Sequence, residues 1–197
     1  MNESAILANN LGHVRRNRMN IWGVHGIAHW WRVRHNGLLI ADQIGVDPTV
    51  VTMFALCHDA FRQNDDTDPE HGPRAAAWLE SVRAGDPCHE HPASDEVREV
   101  VAGFDQEAFT SLVIACRKHT SRHVPENPTI ATCFAADRLD LWRVGTRPIA
   151  KFTYGDSSVV TQAFIEDAMH RSEARLTWVD ESEFRSKWGM TIPPDHE

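Results

Sequence analysis

No stretch of the chain approaches the roughly 18 consecutive apolar residues that cross a bilayer. Residues Met1 to Asn20 also lack the apolar core, about 7–15 residues long, of a signal peptide, so a cytoplasmic location and no membrane partner are expected. Cysteine is scarce. Cys57, Cys88, Cys116 and Cys133 form no Cys-x-x-Cys pair, and Cys57, Cys116 and Cys133 sit among apolar neighbours. Reduced, buried thiols are therefore expected over a disulfide framework or a zinc ribbon. Basic residues are outnumbered, 20 Lys+Arg against 28 Asp+Glu, for a formal charge of −8, and the only basic cluster is Arg15-Arg16-Asn17-Arg18. That balance repels a nucleic-acid polymer. A phosphate-bearing ligand needs a local reversal of the field, and a bound cation is the usual device. Strand-like alternation is weak, and neither an internal repeat nor a low-complexity tract occurs.

What is present suits a globular domain. The chain has 197 residues, 42% hydrophobic and 24% charged, enough for one compact domain with a substantial core. Asp47-Pro48 supplies an N-cap and a first-turn proline ahead of Val50, Val51, Met53, Phe54, Ala55, Leu56 and Cys57, a segment apolar nearly all round. It predicts a central, buried helix. Asp68-Pro69 repeats the device before a helix ended by Gly85, and Asn127-Pro128 does so again before Ile130, Ala131, Phe134 and Leu141. Val97, Val100, Val101 and Phe104 keep helical spacing, as do Phe109, Leu112, Val113 and Cys116. An early helix spans about 24–44 and a late one about 158–176. The fold class is all-α, a bundle of seven or eight helices, with loops at 87–92 and 145–155. The first loop, with Cys88, His89 and His91, reads as surface loop over metal tract.

Twelve histidines in an acidic chain call for an account. His25 and His29 lie one turn apart on the early helix. His58-Asp59 ends the apolar helix, where an imidazole and a carboxylate are costly to bury unless paired or metal-bound. His71-Gly72-Pro73, Lys118-His119-Thr120 and Asp137-Arg138 follow, each beside a helical apolar stripe. The remaining histidines, His13, His35, His89, His91, His123, His170 and His196, are expected at the surface. Trp30 and Trp31 are expected in the core or the pocket wall, where one could stack on a ring.

His29-x-x-Arg32-Val33, His58-Asp59 and Asp137, in that order on an all-helical chain, resemble the HD-domain superfamily of metal-dependent phosphohydrolases over roughly residues 24–142. The resemblance implies a metal-binding core at about 24–142 within one HD-type domain over 1–197; residues 145–197 lie outside the resemblance and are expected to form a helical extension that caps the pocket or makes a homodimer contact. It implies His29, His58, Asp59 and Asp137 as ligands of a divalent metal. Imidazole and carboxylate donors without thiolate suit Mn, Mg, Fe, Ni, Co or Zn. Some relatives hold a second metal through two further histidines with the aspartate bridging, and His71 and His119 match those two. His71 stands 12 positions after Asp59, closer than that pattern implies, so a substrate-facing role is its alternative.

The function so implied is hydrolysis of a phosphoester or phosphoanhydride of a small substrate such as a nucleotide. Asp59 would orient water or accept its proton, and Arg62, three residues on, would face the metal as a catalytic and substrate-binding group. His25, Arg32 and Lys118 are further candidates for the substrate's phosphate, with Arg74, Arg138 and Arg147 weighed beside them against plain ion pairing. Two alternatives stand: a non-haem di-iron oxygenase of the HD type, and a metal-stabilised binding module without turnover. The Gly-Tyr-Pro motif that marks one branch of the superfamily is absent, and so is the Glu-Asp pair that follows the His-Asp in another.

Overall fold

A computed structural model describes residues 1–86 and 90–194, and every regular element among them is helical. In order these are α1 (Glu3–Arg16), α2 (Ile27–Ile44), α3 (Pro48–Cys57), α4 (His71–Ala84), α5 (Asp95–Gly103), α6 (Gln106–Lys118), α7 (Pro128–Arg138), α8 (Ala150–Thr153), α9 (Gln162–Glu173) and α10 (Glu181–Trp188), with a 3-10 turn at Leu141–Val144. That is more helices than the seven or eight expected. The excess lies in α1 and α10, whose apolar patterns are diluted by polar residues, and in α8, a single turn inside the expected 145–155 loop. No described helix is long and apolar enough to cross a membrane.

Local chemistry explains most boundaries. Asp47 accepts from Thr49 N at 2.7 Å to start α3, and Asn127 accepts from Ile130 N at 3.1 Å to start α7. Gly45 and Gly85 close α2 and α4 in the left-handed conformation. Asp68 does not cap α4, which begins two residues after Pro69. Its carboxylate instead accepts from Gln63 N at 2.9 Å and from Arg74, closing the exposed 63–67 turn into a loop ahead of the helix.

The central layer is α2, α3, α6 and α7. Helix α2 lies along α3 and α7, α3 contacts α6, and α4 covers α6. Gly37 permits α2 to approach both neighbours closely, because a Cβ there would collide with Val51 of α3 and crowd Ala136 of α7. The termini seal one side: α1 packs on α10. Glu3 accepts two hydrogen bonds from Arg34, at 2.7 and 2.9 Å, and a third from Trp188 Nε1 at 2.9 Å. Trp30 and Trp31 are both core, Trp31 packing on Phe184 and Trp188 at 4.8 Å between ring centroids, so neither forms a pocket wall. Cys57, Cys116 and Cys133 are buried free thiols, while Cys88 lies outside the described residues.

Three histidine expectations need correction. His13 is fully buried between the rings of Phe61 and Trp78, and His35 and His91 are half-buried. His123 and His170 are exposed as expected; His89 and His196 lie outside the described residues.

Candidate metal centre

Five helices deliver six side chains to one buried point, four of them from helix ends. His58 and Asp59 follow the last turn of α3, His119 caps the end of α6, Asp137 lies in the last turn of α7, His71 opens α4, and His29 sits in the first turn of α2. They form two groups, His29–His58–Asp137 and Asp59–His71–His119, within each of which the donor atoms lie within 4.8 Å of one another. All six residues singled out from the sequence are thereby brought together, His71 included. Gly72 makes the second group possible. A Cβ at that position would stand 2.5 Å from Cys116 O and 3.2 Å from His119 Cε1, so only glycine lets the start of α4 approach the end of α6 this closely.

Asp59 lies between the groups. Its Oδ2 is 3.5 Å from His29 Nε2 and 3.7 Å from His58 Nε2, while Oδ1 is 3.1 Å from His71 Nε2 and 3.9 Å from His119 Nε2. Asp137 Oδ1 completes the first group at 3.4 Å from His29 Nε2 and 3.9 Å from His58 Nε2.

The outer nitrogens set the ring tautomers. His29 Nδ1 donates to Asp140 Oδ2 at 2.7 Å, His58 Nδ1 faces the Phe54 and Ala55 carbonyls at 3.2 Å, His119 Nδ1 donates to Cys116 O at 2.8 Å, and His71 Nδ1 contacts Asp68 O. The partners of His29, His58 and His119 are acceptors, and at His71 the nearer partner is the Asp68 carbonyl, with the Arg62 Nη1 donor at 3.3 Å, so each neutral ring protonated at Nδ1 keeps a bare lone pair on Nε2. Those lone pairs meet head-on: His29 Nε2 is 3.0 Å from His58 Nε2, and His71 Nε2 is 2.8 Å from His119 Nε2. Such contacts repel unless a proton or a cation stands between them.

Without a metal, one proton per pair satisfies this. Burial lowers the His29 imidazole, but the carboxylates of Asp137, Asp140 and Asp59 outweigh it and hold the ring at about 9. Burial pushes its partner His58 down to about 3. The second pair repeats the asymmetry: contact with Asp59 raises His71 against burial, and burial lowers His119. Asp59 and Asp137 stay ionised well below the usual carboxylate range despite burial, held there by the histidines around them. The donor set of four imidazoles and two carboxylates, converging in pairs, fits two divalent ions in place of two protons.

Asp140 is the residue that the sequence reading missed. It is fully buried, and besides orienting His29 it accepts from Arg32 Nε at 2.6 Å and Nη2 at 3.0 Å. The legible signal was its spacing, three residues after Asp137 at the end of an apolar helix. Arg32, expected at the substrate, is instead committed to Asp140. Lys118 is exposed at the end of α6 and does not line the cavity, and Arg74 is tied to Asp68 and Phe61 O. His25 is half-buried, 3.3 Å from Asp65, where it borders with Asp59 and Arg62 a void of about 10 Å³. Arg62 lies where expected. Its Nη1 is 3.6 Å from Asp59 Oδ1, while Nε and Nη2 donate to Asn64 O and Asp66 O at 3.2 and 2.6 Å.

The centre opens on one side into a cavity of about 530 Å³, bordered by Asp59, His71, His119 and Asp137 at the floor and by residues 146–149 and 152–153 along one wall. Comparison with known proteins finds no matching family model, no matching curated protein and no matching solved structure.

Proposed function

We propose that the chain is a metal-dependent phosphohydrolase of the HD type, acting on a small phosphorylated substrate in the 530 Å³ cavity. The observation that carries this reading is Asp59, whose two oxygens each face a pair of imidazoles with opposed Nε2 atoms. His29, His58 and Asp137 would hold one ion, His71 and His119 a second, with Asp59 shared. A divalent ion bound there supplies Lewis acidity toward a phosphoryl oxygen and makes water a stronger acid near neutral pH.

The protein's own groups do the rest. Hydrolysis joins a water oxygen to phosphorus as the bond to the leaving oxygen breaks. Asp59, ionised and lining the cavity, orients that water by accepting its hydrogen bond, and the proton the water loses leaves with the departing oxygen. Arg62 presents Nη1 to the same space, and its other contacts to backbone carbonyls fix it, so its charge is in place before negative charge builds on the phosphoryl group. The 146–153 segment walls the cavity and limits competing water.

The di-iron oxygenase alternative shares the paired ligands, but five arginines around one cavity favour an anionic substrate. Manganese-reconstituted protein should release phosphate from a panel of phosphorylated small molecules, and His58→Ala or Asp59→Ala should abolish it. Equal release by folded variants overturns the assignment, and two irons per chain with product formed only under O₂ establishes the alternative.

A further inference from the structure

The cavity is more basic than the chain that encloses it. Five guanidiniums line it, from Arg62, Arg122, Arg138, Arg143 and Arg147, against the two carboxylates Asp59 and Asp137, in a protein of formal charge −8. Three of the five are committed. Arg62 is held as described, Arg143 donates to Val24 O and Asp140 O at 2.9 and 3.1 Å, and Arg138 donates to Phe152 O at 2.7 Å and His123 O at 2.9 Å. Arg122 and Arg147 are different. Both are exposed; among the described residues Arg122 makes no hydrogen bond or ion pair, and Arg147 pairs only with Glu166, at 3.9 Å, the outer limit of an ion pair.

Arg122 and Arg147 sit on segments that Arg138 ties together, the 121–123 loop after α6 and the 146–153 wall. Both therefore border the mouth, while the paired ligands are buried at the floor. Guanidiniums that are unpaired or only weakly paired around one opening repel each other, an anion between them relieves that repulsion, and their planar forks match phosphate oxygens. Ile149 and Phe152, 56% and 51% exposed, add apolar surface to the same rim.

Resting on the reading of the floor as a phosphohydrolase site, we infer that Arg122 and Arg147 form a second anion subsite at the rim, and that the substrate is an organic compound carrying two or more phosphates. Its reacting phosphate lies at the floor, a further phosphate lies between the rim arginines, and its apolar part rests on Ile149 and Phe152. A simple monoester leaves the rim subsite empty.

The test is calorimetric titration of manganese-loaded protein, at fixed free manganese, with orthophosphate and with imidotriphosphate, a triphosphate analogue that resists hydrolysis. The wild type should bind the analogue at least about tenfold more tightly than orthophosphate, and the Arg122→Gln, Arg147→Gln double variant should lose most of that margin while its orthophosphate affinity stays within about twofold. An unchanged margin, or an equal loss for both ligands, overturns the subsite. Orthophosphate binding that ignores manganese counts against the floor reading alone, because the effect of the rim variant on the analogue is read separately. Both positions are exposed, so the variant should keep the wild-type melting temperature.

Discussion

Asp140 holds His29 by the nitrogen that faces away from the centre, at 2.7 Å, and the same carboxylate is gripped by Arg32 through two hydrogen bonds. A candidate ligand on α2 is thus aimed by a residue just beyond α7, through a carboxylate that touches none of the other five candidate ligands among the described residues. Asp140→Asn removes the charge that favours the Nδ1–H tautomer. It should weaken metal binding at the first group by about 10- to 100-fold, measured by competition with a chelating dye. Asp140→Ala goes further and strands the buried Arg32 charge, with an expected cost of about 3–5 kcal/mol in a denaturant melt.

The two ligand groups predict separable occupancy. Elemental analysis of the wild type should find about two ions per chain, His58→Ala and His119→Ala about one each, and Asp59→Ala fewer than either. Loss of both ions from each single histidine variant would show that the groups do not act as distinct sites.

Gly72 is a packing prediction. In Gly72→Ala the new methyl meets the Cys116 carbonyl, so α4 must withdraw from α6 and His71 from His119. We expect about 1–3 kcal/mol of destabilisation and loss of the second ion with the first retained. Gly85→Ala, at a position with no neighbour within 4 Å but a left-handed backbone, should cost stability without touching metal content.

His35 gives a pH prediction remote from the centre. Burial, with Arg171 and Arg34 nearby, lowers its imidazole from 6.5 to about 4, so the native state stays neutral where the unfolded chain takes up a proton. Stability from this group is complete above about 6.5 and falls as pH drops toward 4. His35→Gln cannot titrate, and its melting temperature should decline less than that of the wild type across that window.

Much of this was legible in the chain because it is local. Asp47-Pro48 and Asn127-Pro128 carry their caps and prolines within a few residues, and both helices start where those signals stand. Asp68-Pro69 looks the same, yet its carboxylate found Gln63 and Arg74 instead of the next turn, a choice made by the fold of the 63–67 loop. His13 and Arg32 were misplaced for a related reason. Each is a polar residue whose burial depends on partners far along the chain, Phe61 and Trp78 for one and Asp140 for the other, and no window of sequence contains both members. The short gap between Asp59 and His71 suggested a different role for His71. A loop followed directly by a helix start spans the distance, because Gly72 lets that helix begin against α6.

Asp137 and Arg138 are adjacent, yet they serve opposite ends of the cavity: the aspartate reaches His29 and His58, and the arginine grips the 121–123 loop and Phe152 at the mouth. One peptide unit is therefore the mechanical link between them. The arginine that fastens the mouth segments and the carboxylate that faces the buried imidazoles thus share the last turn of α7.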